Sequence, residues 1–230
     1  AEAMLGFSLG QISALMASGA LSDEDGFALL DVRARSMAQA CEERPGAMYA
    51  LLGAAHEDAQ GICDECAQDE ILVCANFNAP GQVVVSGDVA AIERAEKAWR
   101  SLGKRGARLN TAGAFHSPLM ALASKAVREK CSELSWKQPA VPVICNTDAQ
   151  VFDVDQAADR LARQVVSPVH FEQSVQALIG QGAARFVEVG NGAVLNGLVR
   201  RIDKRAGRVR VGTLDEWNAF ASEQTGIGEE

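Results

Sequence analysis

Nine residues near the start of the chain, Met4-Leu5-Gly6-Phe7-Ser8-Leu9-Gly10-Gln11-Ile12, constrain it more than any other stretch. They place G-x-S-x-G between a short apolar run and a helical pattern. The two glycines let the backbone turn sharply from strand to helix, leaving Ser8 exposed at the strand's carboxyl end. Its Oγ then stands over a helix N-terminus, where the N–H of Leu9 is free to hold a developing oxyanion. Such an elbow normally lies well inside an α/β domain, and here it begins the sequence.

Several function classes drop out on charge and hydropathy. The net charge of −8, with no Lys/Arg cluster to offset it, argues against general nucleic-acid binding. No apolar run approaches the ~20 residues of a membrane span, and the start lacks a signal peptide's basic region and apolar core. The expectation is a cytoplasmic protein without a membrane partner. Six irregularly spaced cysteines do not make a disulfide framework in 230 residues. Cys63-Asp64-Glu65-Cys66 is a lone C-x-x-C on a helical pattern; it reads as helix packing, and no metal is expected.

The rhythm along the chain predicts helices over Ser8–Ala17 and Asp23–Glu43, the latter capped by Ser22 or Asp23. From Ala47 it changes. Strands over 47–53, 71–78, 82–87 and 107–110 alternate with helices over 56–67 and 89–102 in the order β-α-β-β-α-β. That is the ferredoxin-like pattern, expected as a small domain over 46–111 inserted into a larger one made of 1–45 and 112–230. In the larger one, helices over 118–134, 155–165, 171–180 and 193–202 alternate with continuously apolar segments. Met4-Leu5, 141–146, 185–190 and 208–212 are read as buried parallel strands. Only the last few residues look frayed. The fold class is therefore α/β: a parallel-sheet, hydrolase-like large domain with a ferredoxin-like α+β insert.

A nucleophilic serine needs a base, and the chain has three histidines. His56 opens a helix of the insert and reads as solvated. His170 follows Ser167-Pro168-Val169 at a helix entrance and reads as a capping or packing residue. His116 lies in Gly113-Ala114-Phe115-His116-Ser117-Pro118, where the chain leaves the small domain, and clefts form at such junctions. On its own it reads equally as a base or as a structural imidazole. Arg33, on the face of a charged helix, reads as solvated, and so does Arg35.

Six blocks in order carry a family resemblance: GFSLGQISAL, VRARSM, NFNAPGQVVVSG, GAFHSPLM, RQVVSPVHF and EVGNGAVLNGL. Over residues 4 to about 215 the chain resembles the malonyl-CoA:acyl carrier protein transacylases of fatty-acid synthesis and the related acyltransferase domains of polyketide synthases. The resemblance implies Ser8 as the nucleophile that takes a malonyl group from coenzyme A, and His116 as its base. It implies that the backbone carbonyl of Gln164 orients the imidazole, and that Leu9 N–H is an oxyanion donor. It casts Arg33 as a fork for the malonyl carboxylate. Phe115, a bulky residue before the histidine, would favour malonyl over methylmalonyl. The implied partners are malonyl-CoA, a substrate rather than a cofactor, and acyl carrier protein; no cofactor is implied.

Three departures stand out. Phe7 occupies the position before the serine where the family usually has histidine. Gln11 replaces a glutamate. The family's first strand and its G-Q-G-x-Q loop, source of a second oxyanion donor, would precede residue 1. From this the 230 residues are expected to turn over slowly alone, and self-association or an N-terminal segment acting in trans is expected as compensation. The competing readings are a serine hydrolase or thioesterase, and an inactive partial acyltransferase serving as a binding module.

Overall fold

The structure is a computed structural model that describes residues 1–225, so the terminal residues read as frayed lie outside it. The chain divides into two compact units, residues 1–174 and the described residues from 175 onward.

The first unit opens with β1 (Met4–Leu5), which turns directly into α1 (Gly10–Ala17). Next comes α2 (Asp23–Glu43), where Ser22 rather than Asp23 is the cap: its Oγ accepts from Asp25 N–H at 3.1 Å. Three carboxylates in that first turn add favourable charge at the positive end of the helix dipole. Leu15, Leu21 and Leu29 are fully buried in one apolar cluster with Ile12, Met120, Val143 and Leu161. This cluster supports the elbow from beneath.

The chain then builds β2 (Gly46–Leu52), α3 (His56–Ala67), β3 (Leu72–Ala79), β4 (Gln82–Asp88), α4 (Val89–Ser101) and β5 (Arg105–Arg108). The four strands pair antiparallel in the order β3-β4-β2-β5, the ferredoxin-like arrangement. Tyr49, Leu51, Val83, Val85, Ile92 and Trp99 fill one face under the two helices. Met48, Ala50, Ala75 and Val84 cover the other face, with Phe115 packed against them. The last strand starts two residues earlier than expected. Trp99 Nε1 donates to Arg105 O at 2.9 Å and fixes the chain there, just after the left-handed turn at Gly103.

After the insert, Ser117 caps a 3₁₀ turn (Pro118–Met120) that leads into α5 (Ala121–Glu133). The expected strand over 141–146 shrinks to β6 (Val143–Ile144), parallel to β1 in the register Met4↔Val143 and Leu5↔Ile144. Its ends are diverted. Pro142 has no N–H to give, Cys145 N–H goes to Gln150 O, and Asn146 N–H goes to the side chain of Gln11. A second 3₁₀ turn (Val154–Gln156) precedes α6 (Ala157–Val166).

α7 (Phe171–Gly180) leads into the second unit, which holds β7 (Arg185–Val189), α8 (Val194–Ile202), β8 (Gly207–Val211) and α9 (Leu214–Thr225). β7 and β8 are parallel neighbours joined through α8, a β-α-β unit. The four expected parallel segments thus pair as two two-stranded sheets, β1 with β6 and β7 with β8, and β7 is not the buried strand expected, since Val187 and Val189 are exposed. The Glu188 carboxylate accepts the N–H groups of Leu195 and Asn196 and so caps α8. α9 was not expected. Its signal was Thr213-Leu214-Asp215-Glu216: Thr213 Oγ1 accepts Glu216 N–H while the Glu216 carboxylate accepts Gly212 and Thr213 N–H, a capping box. Among the described residues no helix is long and apolar enough to cross a membrane.

Candidate active site

The elbow is built by crowding. A Cβ on Gly6 would lie 1.9 Å from the carbonyl of Gly10, so the strand end can approach the helix start only as glycine. Gly10 meets no such wall, which assigns the steric demand of the motif to its first glycine alone. Ser8 itself sits at φ 52°, a left-handed conformation that costs a non-glycine residue energy and must be held by its surroundings. Ser8 N–H donates to Asn146 Oδ1 at 2.8 Å, and Gln164 Nε2 donates to Ser8 O at 2.8 Å. The neighbouring N–H, that of Leu9, has no partner among the described residues and heads α1.

His116 is brought to this serine across 108 residues of sequence, its Nε2 2.7 Å from Ser8 Oγ. It too is left-handed, at φ 57°. Its Nδ1 lies 3.0 Å from Gln164 O, an atom that can only accept. The proton is therefore on Nδ1, and the Nε2 lone pair faces the serine hydroxyl. Burial pushes the imidazole down to about 4, the Arg33 guanidinium adds to the effect, and hydrogen bonds to the backbone of Gln164 and Ser167 oppose it. At neutral pH it is an uncharged base.

Arg33 corrects the reading of a solvated charge. It is 6% exposed, and its Nη2 donates to Ser8 Oγ at 3.2 Å. Its Nε is buried without a hydrogen-bond partner, and among the described residues no carboxylate lies within ion-pair distance. Burial lowers its pKa, and a guanidinium keeps its charge in proteins. A desolvated cation left unpaired is costly, so this one is poised for an anion. Arg35, two residues on and on the opposite face of α2, is solvated as expected and pairs with Asp31.

Phe115 is half-buried, immediately before the histidine, and packs against the cluster beneath the elbow and against the Met48, Ala50, Ala75 and Val84 face of the sheet. Phe7 meets Phe171 edge to face at 5.3 Å. A cleft of about 370 Å³ runs over His116 and is lined by Leu72, Val73, Cys74, Phe77 and Pro118. The other two histidines contact Phe77, one of the residues lining this cleft. Phe77 lies between them, 4.5 Å from His56 and 5.1 Å from His170. His56, half-exposed, also reaches Glu172 at 3.4 Å, so it is less free than expected. Cys63 and Cys66 are buried in helix packing, with Cys63 Sγ 3.8 Å from Cys74 Sγ. Among the described residues no cluster suited to a metal ion occurs.

Sequence reasoning missed Asn146 and the buried amide of Gln11. A single asparagine after an apolar run looks like a strand terminator, and Gln11 looked like a neutral stand-in. The one available signal was that both are polar groups adjoining buried segments, where an unpaired amide is too costly to leave.

The acyl transferase domain family matches residues 1–214. The chain is 38% identical over 209 residues to the malonyl CoA-acyl carrier protein transacylase of Bacillus subtilis (strain 168), covering 90% of this chain and 66% of that protein. Its fold matches the crystal structure of malonyl-CoA:acyl carrier protein transacylase from Xanthomonas oryzae with a TM-score of 0.93 at 38% identity, over 96% of this chain and 71% of that one. It also matches, with a TM-score of 0.91 at 32% identity, a malonyl-transacylase solved in complex with its type II polyketide acyl-carrier protein, over 96% and 72%. The chain thus spans about two thirds to seven tenths of the length of these relatives. It is α/β with a ferredoxin-like insert, and it belongs to the acyl transferase domain family.

Proposed function

We propose that this chain transfers a malonyl group from malonyl-CoA to the phosphopantetheine thiol of acyl carrier protein through an acyl-serine. Ser8 Oγ attacks the thioester carbonyl while His116 Nε2 takes its proton, and the oxyanion is held by Leu9 N–H. Collapse breaks the C–S bond, and His116 returns the proton to the departing coenzyme A sulfur. In the second half the carrier thiol gives its proton to His116 and attacks the ester, and Ser8 leaves with that proton. Gln164 O holds the Nδ1 proton throughout and fixes the tautomer. Malonyl-CoA is a substrate, and no cofactor enters the scheme. The setting is the cytoplasm, and residues 46–111 act as the small domain against which the site is built.

One observation carries this reading: a buried guanidinium without a counter-ion touches the same hydroxyl that the histidine activates. A simple serine hydrolase has no need of that cation. The main-chain oxygen behind His116, where a hydrolase triad has a carboxylate, points the same way. Phe115, immediately before His116, is assigned the restriction of substituents on the acyl α-carbon. Replacing Arg33 with alanine tests the assignment. Removing one partner of a buried ion pair costs about 2–5 kcal/mol, so malonyl transfer should fall at least about thirtyfold while acetyl transfer changes little. Equal losses for the two acyl groups would contradict it.

A further inference from the structure

We propose that Asn146, with the side-chain amides of Gln11 and Gln164, is the positioning device of the catalytic pair: a buried amide knot that stands in for a missing stretch of β-ladder. The inference rests on Ser8 and His116 forming the reactive pair, and it goes beyond that reading by naming what holds them.

The two parallel strands pair only at Met4↔Val143 and Leu5↔Ile144. Beyond Leu5 the first strand bends into the elbow, and its backbone groups lose their strand partners. In a parallel ladder one residue's N–H and C=O bond the C=O and N–H that flank the residue opposite. The carboxamide of Asn146 reproduces that pattern with a side chain. Its Nδ2 donates to Gly6 O at 2.6 Å and its Oδ1 accepts Ser8 N–H at 2.8 Å, the two groups flanking Phe7. Because Gly6 O only accepts and Ser8 N–H only donates, one orientation of the amide satisfies both.

The backbone of Asn146 is tied as firmly. Its N–H donates to Gln11 Oε1 at 2.9 Å, and its O accepts His170 N–H at 2.7 Å. Gln164 closes the knot: its Nε2 donates to Ser8 O at 2.8 Å and lies 3.3–3.4 Å from Asn146 Oδ1 and Gln11 Oε1. All three amides are 2% exposed or less. Both polar backbone groups of a serine in a left-handed conformation are therefore held by buried side chains. Through Gln164, whose main-chain O takes the Nδ1 proton, the same knot sets His116. Serine and imidazole are referenced to one rigid object rather than to two independent elements. These are positioning residues; none of the side chains reaches the reacting atoms.

The role of Gln11 is that of an acceptor, since its own Nε2 finds only Cys145 Sγ at 4.0 Å. Glutamate at that position keeps both accepted bonds, and leucine keeps neither.

The test uses Asn146→Asp, which retains the acceptor for Ser8 N–H but turns the donor to Gly6 O into a repelling oxygen. Gln164→Met keeps the main-chain oxygen behind His116 and removes only the side-chain bonds. Gln11→Leu and Gln11→Glu complete the set. Two readouts are taken on protein verified as folded by circular dichroism: malonyl transfer from malonyl-CoA, and labelling of Ser8 by a small serine-directed phosphonofluoridate that needs no Arg33. Displacement of a reacting group by about 1 Å costs on the order of 10²-fold. Asn146→Asp, Gln164→Met and Gln11→Leu should therefore lower kcat and the phosphonylation rate by about that factor, with KM for malonyl-CoA moving less than about threefold. Gln11→Glu should restore both rates to within about threefold of wild type. Wild-type rates in folded Asn146→Asp and Gln164→Met would overturn the knot. So would failure of Gln11→Glu to rescue. If wild type is phosphonylated at Ser8 but does not accept malonyl, the substrate assignment fails while the knot is still judged by the phosphonylation rates.

Discussion

His116 gives the sharpest pH signature in the molecule. Its base form persists down to about pH 4 in the free protein, so kcat/KM for acylation should stay flat from pH 8 to about 5 and fall below that. A break near 6.5 would contradict the buried setting. The same shift acts on stability. Between about pH 6.5 and 4 the unfolded imidazole binds a proton that the folded one refuses, so stability falls as the pH drops through that window. His116→Gln should show a shallower loss of Tm over the same range. Phe115→Ser should weaken the preference for malonyl over methylmalonyl by about 1–3 kcal/mol, the worth of one methyl in a tight pocket, and competition between the two thioesters reads it directly. Ser8 was legible from spacing alone. His116 was one of three candidates until a family pattern chose it, because what distinguishes it is a contact across 108 residues. Arg33 was legible only through the family pattern, for a physical reason: Asp31 and Arg35 beside it are solvated, and the burial of position 33 comes from elements distant in sequence.

The helices were largely written in the periodicity. Asp23–Glu43, His56–Ala67 and Phe171–Gly180 begin and end where the pattern of apolar residues and caps places them. The strands drifted where side chains override the ladder, as Trp99 does at Arg105 and as the Gln11 and Asn146 amides do beyond Ile144. α9 escaped although Leu214, Trp217 and Phe220 recur at helical spacing, because Leu214 and Trp217 are exposed and mark no buried face. At the elbow, Gly6→Ala should prevent the folded turn, whereas Gly10→Ala should leave Tm within a few degrees, since only the first glycine faces backbone at contact distance. Asp88 ties the end of α2 to two segments of the insert. It accepts from Arg44 Nε and Nη2 at 2.9 and 2.7 Å and from Ile71 N–H at 2.8 Å. Asp88→Ala should cost about 1.5–3 kcal/mol in urea denaturation, much of it from the orphaned Ile71 N–H. Arg44→Ala should cost under about 1 kcal/mol, because that guanidinium is half exposed.

For the molecule as a whole, a family match across residues 1–214 and a serine, an imidazole and an unpaired cation within 3.2 Å of one hydroxyl lead to the same chemistry. The net charge of −8 is neutral to that conclusion; the proposed recognition of the acyl group rests on one buried positive charge rather than on the overall field. The covalent intermediate is the central claim, and intact mass spectrometry tests it without assuming any carrier protein. After brief exposure to malonyl-CoA, wild-type protein should gain the mass of one malonyl group. Ser8→Ala should gain none, and His116→Gln should acylate far more slowly. A malonyl adduct that persists in Ser8→Ala, or wild-type protein that stays unlabelled while folded, would contradict the account.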